Sequence, residues 1–264
     1  MIEAWIAAIA CAAPGLPDWP TARRVLRGES PYVPVELPRY QPRLLPPNER
    51  RRAPPAVRQA FRVAEGLFES APLAARDCAT VFASSDGDTS ITQRISIGLA
   101  TPTRTVSPTD FHNTVHNAAA GYWSIAADAR LASTALSAWN ASFAAGLLEA
   151  AAFAAVERQP TLLVAYDVAV PEPLHAKRPI DTSVGVALLL APQATRGALA
   201  RLGIEAAASA QASTLPDAGL EALRLGNPAA RALPLLAAVA RKRAAVVELA
   251  EAEACGLRVH VQPA

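Results

Sequence analysis

Cys78-Ala79-Thr80-Val81-Phe82-Ala83 runs directly into Ser84-Ser85-Asp86-Gly87-Asp88. A short, nearly continuous apolar run closed by small and acidic residues is the pattern of a buried central strand and a sharp turn, since a strand covered on both faces keeps no polar side. Upstream, across residues 55–70, Val57, Phe61, Ala64 and Phe68 return at helical spacing. Arg58, Arg62, Glu65 and Glu69 take the other face, which predicts an amphipathic helix entered through proline and laid on one side of the sheet. Residues 2–13 are apolar and read as a first strand. They carry Glu3, have no basic residue before Arg23 and run into Pro14-Gly15, unlike a signal peptide. Residues 31–55, rich in proline and holding Glu49-Arg50-Arg51-Arg52, show no apolar period and are expected as an ordered loop or a lid.

Downstream, Ser107-Pro108-Thr109 starts a helix, with serine as cap and proline in the first turn, and the pattern carries it through Phe111, Val115 and Ala119 to Tyr122. Residues 141–157 are alanine and leucine on almost every face, which predicts a helix buried on all sides. Residues 161–166 and 184–190 are two more buried strands, joined by a proline-rich loop charged at Glu172, Lys177, Arg178 and Asp181. After Pro192 the alanine-rich chain reads as helical, and residues 246–249 and 257–261 as a terminal hairpin across Gly256. The sum is a layered α/β protein.

With 264 residues, 52% of them apolar, the chain can build one large core or two small ones. Alanine fills about 60 positions and aromatic residues only 5%, so the helices must pack closely. A net charge of +2 and only two lysines, Lys177 and Lys242, give no polybasic nucleic-acid surface. Cys11, Cys78 and Cys255 lie far apart without a C-x-x-C pair, against a disulfide scaffold or a cysteine zinc site, and fit a reducing cytoplasm. No uncharged apolar run reaches membrane-spanning length, because residues 141–156 are interrupted by Glu149.

His112 and His116 stand four apart, as in histidine pairs that bind metal, but Asn113 occupies the position where a zincin carries glutamate. A packing or pocket-lining role is therefore expected for both, and no metal site. Asp86-Gly87-Asp88 opens like a calcium loop yet lacks the later ligands, so it reads as a solvated turn. No G-x-S-x-G, P-loop or G-x-G-x-x-G motif occurs.

The ordered segment Ser107-Pro108-Thr109-Asp110-Phe111-His112-Asn113-Thr114-Val115-His116-Asn117-Ala118-Ala119-Ala120-Gly121, between the Ser84-Ser85-Asp86-Gly87 turn and the alanine-rich helix, resembles the beta-ketoacyl synthases of the thiolase superfamily. Asn48-Glu49-Arg50-Arg51-Arg52 and the later Gly185-Val186-Ala187-Leu188-Leu189-Leu190 are also similar to that family's pattern. The likeness covers residues 1–192. It implies a thiolase-like layered α/β/α fold, truncated to the first half of a synthase, with residues 193–264 completing or capping the same domain.

The departures are chemical. A condensing enzyme needs a cysteine at the amino end of its buried helix, where backbone N–H groups favour a thiolate. The corresponding stretch, residues 131–142, has none: counting from Gly121 puts Asn140 at the nucleophile position, whereas matching Ser133-Thr134-Ala135 puts Leu136 there. Ser137 or Asn140 is expected to cap the helix instead. The family uses two second-half histidines, each in a glycine-rich motif; beyond residue 192 this chain has only His260, without such glycines.

The resemblance implies a non-catalytic subunit like the chain length factors of aryl polyene and xanthomonadin-type clusters. It would pair with a full-length ketosynthase and shape the tunnel for chains carried on the phosphopantetheine of an acyl carrier protein. It implies no cofactor of its own. Phe111, His112, Thr114, Val115, His116 and Ala119 are the expected tunnel and interface residues, and Arg50, Arg51 and Arg52 the expected carrier-protein dock. Two other readings stand beside this one: an acyl-thioester hydrolase or transferase using His112 or His116, and a homodimeric acyl-binding scaffold.

Overall fold

The computed structural model describes residues 1–207, 211–249 and 256–264. The chain forms β1 (Ile2–Ala12), α1 (Trp19–Leu26), α2 (Pro47–Arg52), α3 (Pro55–Phe68), β2 (Ala79–Ala83), α4 (Thr89–Ala100), α5 (Pro108–His112) and α6 (Ala118–Ala126). It continues through β3 (Ser133–Leu136), α7 (Ser142–Val156), β4 (Thr161–Asp167), β5 (Val184–Ala191), β6 (Ala200–Ala207), α8 (Ala218–Gly226), α9 (Leu233–Arg241), β7 (Ala245–Leu249) and β8 (Gly256–Pro263). One mixed sheet holds these eight strands in the order β3-β2-β4-β5-β1-β6-β8-β7. Among the described residues, the adjacent pairs β3–β2 and β2–β4 are parallel and the other neighbours antiparallel. The strand expected at the centre, β2, is buried at every residue but lies second from the edge.

Helices cover both faces of the sheet, as apolar strands without a polar side require. Val81, Leu163, Val186 and Leu188 face α1, α7, α8 and α9, while Phe82, Leu162, Val164 and Leu189 face α3 and α6. A register shift between Ile6 and Ala8 of β1 lets Ile6 and Ile9 share one face. Gly146 of α7 is needed for close approach, since a Cβ there would lie 2.8 Å from the Cβ of Ala83 and 2.9 Å from Cδ1 of Leu163.

Four expectations are corrected. The helix predicted from Ser107 to Tyr122 is two, because Asn113 Nδ2 donates to Thr109 O at 2.9 Å and Thr114 Oγ1 to Phe111 O at 2.7 Å. Side chains returned to the backbone in this way compete with the helical ladder. The segment after Pro192 first forms strand β6, whose Leu202 and Ile204 are buried between Arg201 and Glu205, and β6, β8 and β7 extend the same sheet. The hairpin of β7 and β8 is present, but its connection lies outside the described residues.

The third correction is α7, which is not buried all round. Phe143, Leu147, Ala150, Ala151 and Ala154 sit on the sheet, while Leu148 and Val156 are exposed, because the sheet covers only one side of the helix. Trp139–Val156, interrupted by Glu149 as expected, is long and apolar enough to cross a membrane by length and composition alone. Here its inner side is part of the core. Finally, Glu65, assigned to the polar face of α3, is buried. It accepts from Leu44 N at 2.9 Å, Arg43 N at 3.0 Å and the Tyr40 hydroxyl, fastening the proline-rich segment to the helix.

Candidate functional site at the carboxyl ends of the parallel strands

In open α/β sheets, sites form beyond the carboxyl ends of parallel strands. Here β2 delivers Ser84, Ser85 and Asp86 to that end, β3 delivers Ser137 to Asn140, and β4 ends on Asp167. Asp167 is buried, and its Oδ1 accepts from Ser84 Oγ at 3.0 Å, Ser85 N at 2.8 Å and Ser85 Oγ at 2.7 Å. Its Oδ2 has no partner among the described residues. Burial pushes the carboxyl up to about 6 against the pull of these hydrogen bonds, and the charge of Asp86 adds to the rise.

Asp86 is not the solvated turn residue expected from the sequence. It pairs with Arg178 (Oδ2 to Nε, 2.7 Å), and Asp88 caps α4 through Ser90 N and accepts from Ala56 N at 2.9 Å. Arg178 also donates from Nη1 to Asn140 Oδ1 at 2.7 Å and lies 3.8 Å from the ring centroid of Trp139. Trp139 has φ 53°, a left-handed conformation unusual for a bulky residue, at the turn from β3 into α7. This is a strand–turn–helix elbow, the geometry that presents a nucleophile in acyl-transfer enzymes. Its tip carries an indole clamped by a guanidinium, and neither can accept an acyl group.

Leu136 and Asn140, the two expected nucleophile positions, flank this tip: Leu136 closes β3, and Asn140 is held by Arg178. Neither Ser137 nor Asn140 caps α7. Ser137 Oγ donates to Ser85 O at 2.7 Å, and the turn is closed by Ser142, whose Oγ accepts from Ala138 N at 3.0 Å and donates to Trp139 O at 2.6 Å. Cys11 and Cys78 are buried, in β1 and just before β2; burial pushes both thiols up, that of Cys78 to about 12. Cys255 lies outside the described residues.

The expected tunnel residues divide into three groups. His112 and Val115 line an apolar groove of about 410 Å³ with Leu45, Pro46, Tyr122 and Ile125. Phe111 and Thr114 point to solvent, Phe111 at 69% exposure. Ala119 is in the core, on the inner side of α6, and His116 turns inward, its Nε2 3.0 Å from Ser84 O. The two histidines therefore do not share a helix, and among the described residues no three His, Cys, Asp or Glu side chains gather as metal ligands. Ile97 and Leu99 of α4, Phe111 of α5, Val115 between α5 and α6, and Ile125 of α6 are exposed, and the Arg94–Asp110 ion pair at 2.7 Å joins α4 to α5.

Of the arginine cluster, Arg50 is structural, donating from Nη2 to Arg43 O and Leu45 O, each at 2.9 Å. Arg51 binds Asn48, and Arg51 and Arg52 are exposed. Reading the sequence missed Trp139, Arg178 and Asp167 as partners. The available signal was a lone acid ending the unbroken apolar run of β4.

The sequence profile described as "Beta-ketoacyl synthase, N-terminal domain" matches residues 25–248. No curated protein is found to match the sequence. Among solved structures, a chain of the complex of the ketosynthase ApeO with its chain length factor ApeC, from Xenorhabdus doucetiae, superposes with a TM-score of 0.73 at 22% identity, covering 98% of this chain and 100% of that one. A chain of the AntDE:AntF complex of a type II polyketide acyl-carrier protein with its ketosynthase gives 0.73 at 10% identity, covering 100% and 99%. Ketosynthase twelve of the bacillaene polyketide synthase from Bacillus amyloliquefaciens gives 0.58 at 14% identity, covering 83% of this chain and 48% of that one. The expected thiolase-like architecture is thus present at about half the length of that ketosynthase. With 224 consecutive positions under the profile and the strand–turn–helix elbow in place, this chain belongs to the beta-ketoacyl synthase family.

Proposed function

We propose that the protein is a non-catalytic, chain length factor-like subunit that pairs with a full-length ketosynthase and shapes the tunnel in which its product grows. The observation that carries this reading is the elbow. An acyl-transfer site needs a nucleophile at the strained turn, and Trp139, stacked on Arg178, stands there. The likeness to chains from complexes described as a ketosynthase with its chain length factor supports the pairing. The exposed apolar side chains of Ile97, Leu99, Phe111, Val115 and Ile125 are of the kind a partner covers. In this reading His112 and Val115, which line the adjoining groove, set the space available to the chain.

The same proposal places the protein in the cytoplasm, with substrates delivered as phosphopantetheine thioesters of an acyl carrier protein docked near Arg51 and Arg52. Its products are polyenes or other fatty-acid-like polyketides of the aryl polyene type. Co-expression with a full-length ketosynthase from the same genome, followed by native mass measurement, tests the pairing. One copy of each chain per particle is the expected result. A homodimer or monomer that ignores every ketosynthase offered overturns it.

A further inference from the structure

The proline-rich segment crosses the start of α3 and leaves a groove of about 350 Å³ that is separate from the elbow and from the His112 groove. Arg39, Arg58 and Arg62 line it, and no carboxylate does. Among the described residues none of the three forms an ion pair, and the nearby Glu65 is already paired with Arg43 at 3.3 Å. Convergent guanidinium groups repel one another. Burial, and after it the charge of Arg39, makes Arg58 a weaker base than usual, and burial does the same to Arg62.

Two of the three are held in place before any ligand arrives. Arg58 donates from Nε to Ala53 O at 2.7 Å and from Nη2 to Arg50 O at 3.4 Å and Arg51 O at 3.5 Å, which fixes its positive charge beside the groove. Arg62 donates to Pro38 O, with its guanidinium carbon 5.2 Å from the ring centroid of Tyr40. Guanidinium groups held in place match phosphate oxygens in geometry and charge. Leu37, Pro38, Tyr40 and Pro55 give the same groove an apolar wall.

We propose that the Arg39, Arg58 and Arg62 groove binds the phosphate of a small phosphorylated ligand whose remaining part rests against Tyr40 and the prolines. A volume of about 350 Å³ favours a small molecule over an extended polyanion, and the site does not depend on the ketosynthase pairing. Two sources share this chemistry, a free nucleotide and a phosphopantetheine-type arm.

Calorimetric titration of the full chain with AMP and with 4′-phosphopantetheine, each beside its dephosphorylated counterpart, tests the proposal. Saturable binding of at least one phosphorylated probe is expected, at least tenfold tighter than its counterpart and weakened by salt. AMP ahead of phosphopantetheine identifies the nucleotide source, and the reverse order the pantetheine source. Arg39→Gln and Arg62→Gln should each weaken binding at least fivefold. Arg39 is exposed and makes no hydrogen bond among the described residues, so its replacement should leave the melting temperature unchanged. Equal binding of the dephosphorylated probes, no saturable binding of either phosphorylated one, or affinities unaltered in both variants would overturn the proposal.

Discussion

Trp123→Ala is expected to destabilise the protein by about 3–5 kcal/mol, the cost of deleting a large buried aromatic whose site cannot collapse. Trp123 is 1% exposed, edge-on to Phe61 with centroids 5.3 Å apart and stacked on Phe68 at 5.9 Å. These contacts fasten α6, a nine-residue helix too short to persist alone, to α3. The indole Nε1 has no hydrogen-bond partner among the described residues, so Trp123→Phe removes an unsatisfied donor along with volume and should cost markedly less than alanine. Urea denaturation of both variants gives the two values. A loss below about 1 kcal/mol for alanine would show that the α3–α6 contact does not hold this face together. Because Tyr122 and Ile125 of α6 line the His112 groove, that groove should loosen with it.

The second large effect is of opposite sign. Asp167→Asn should stabilise the protein near neutral pH, because the native carboxyl is buried with one oxygen unpartnered and titrates at about 6, above its ordinary 3.8. Between these values the native state holds a proton that the unfolded chain has released. Stability therefore falls as pH rises from about 4 to about 6 and is flat with respect to this group above that. Two pKa units correspond to about 3 kcal/mol, which sets the upper bound of the gain. Asparagine keeps an oxygen for Ser84 Oγ and Ser85 N and removes the charge. Unfolding free energies measured from pH 4 to 8 should show the slope in the wild type and lose it in Asp167→Asn. An unchanged slope would place the titration elsewhere.

The elements legible in the sequence are those whose burial leaves no ambiguity of period. β2, β4 and β5 are unbroken apolar runs between turn residues, and both their positions and their two-sided coverage follow from that. β3 was not legible, since Ser133-Thr134-Ala135-Leu136 is a four-residue edge strand of half-exposed small residues. β6 alternates, but in an alanine-rich stretch a helix and a strand leave nearly the same pattern. α4 buries only Ile91 and so carries almost no apolar period.

The site was legible as a location and not as a set of partners. The vacancy where a condensing enzyme holds its thiol is visible in the residue types alone. That Trp139 takes the tip was not, because the left-handed backbone there is one that large side chains avoid. Arg178 reads as one charge of a loop until the fold brings it to Asp86, 92 residues away.

The central claim is that the elbow of this chain never carries an acyl group. Incubating the co-expressed ketosynthase complex with radiolabelled acyl donor and locating the label by peptide mass spectrometry tests it most directly. The account predicts label on the ketosynthase subunit alone, with residues 133–142 of this chain unmodified. A covalent acyl adduct within that stretch would contradict it.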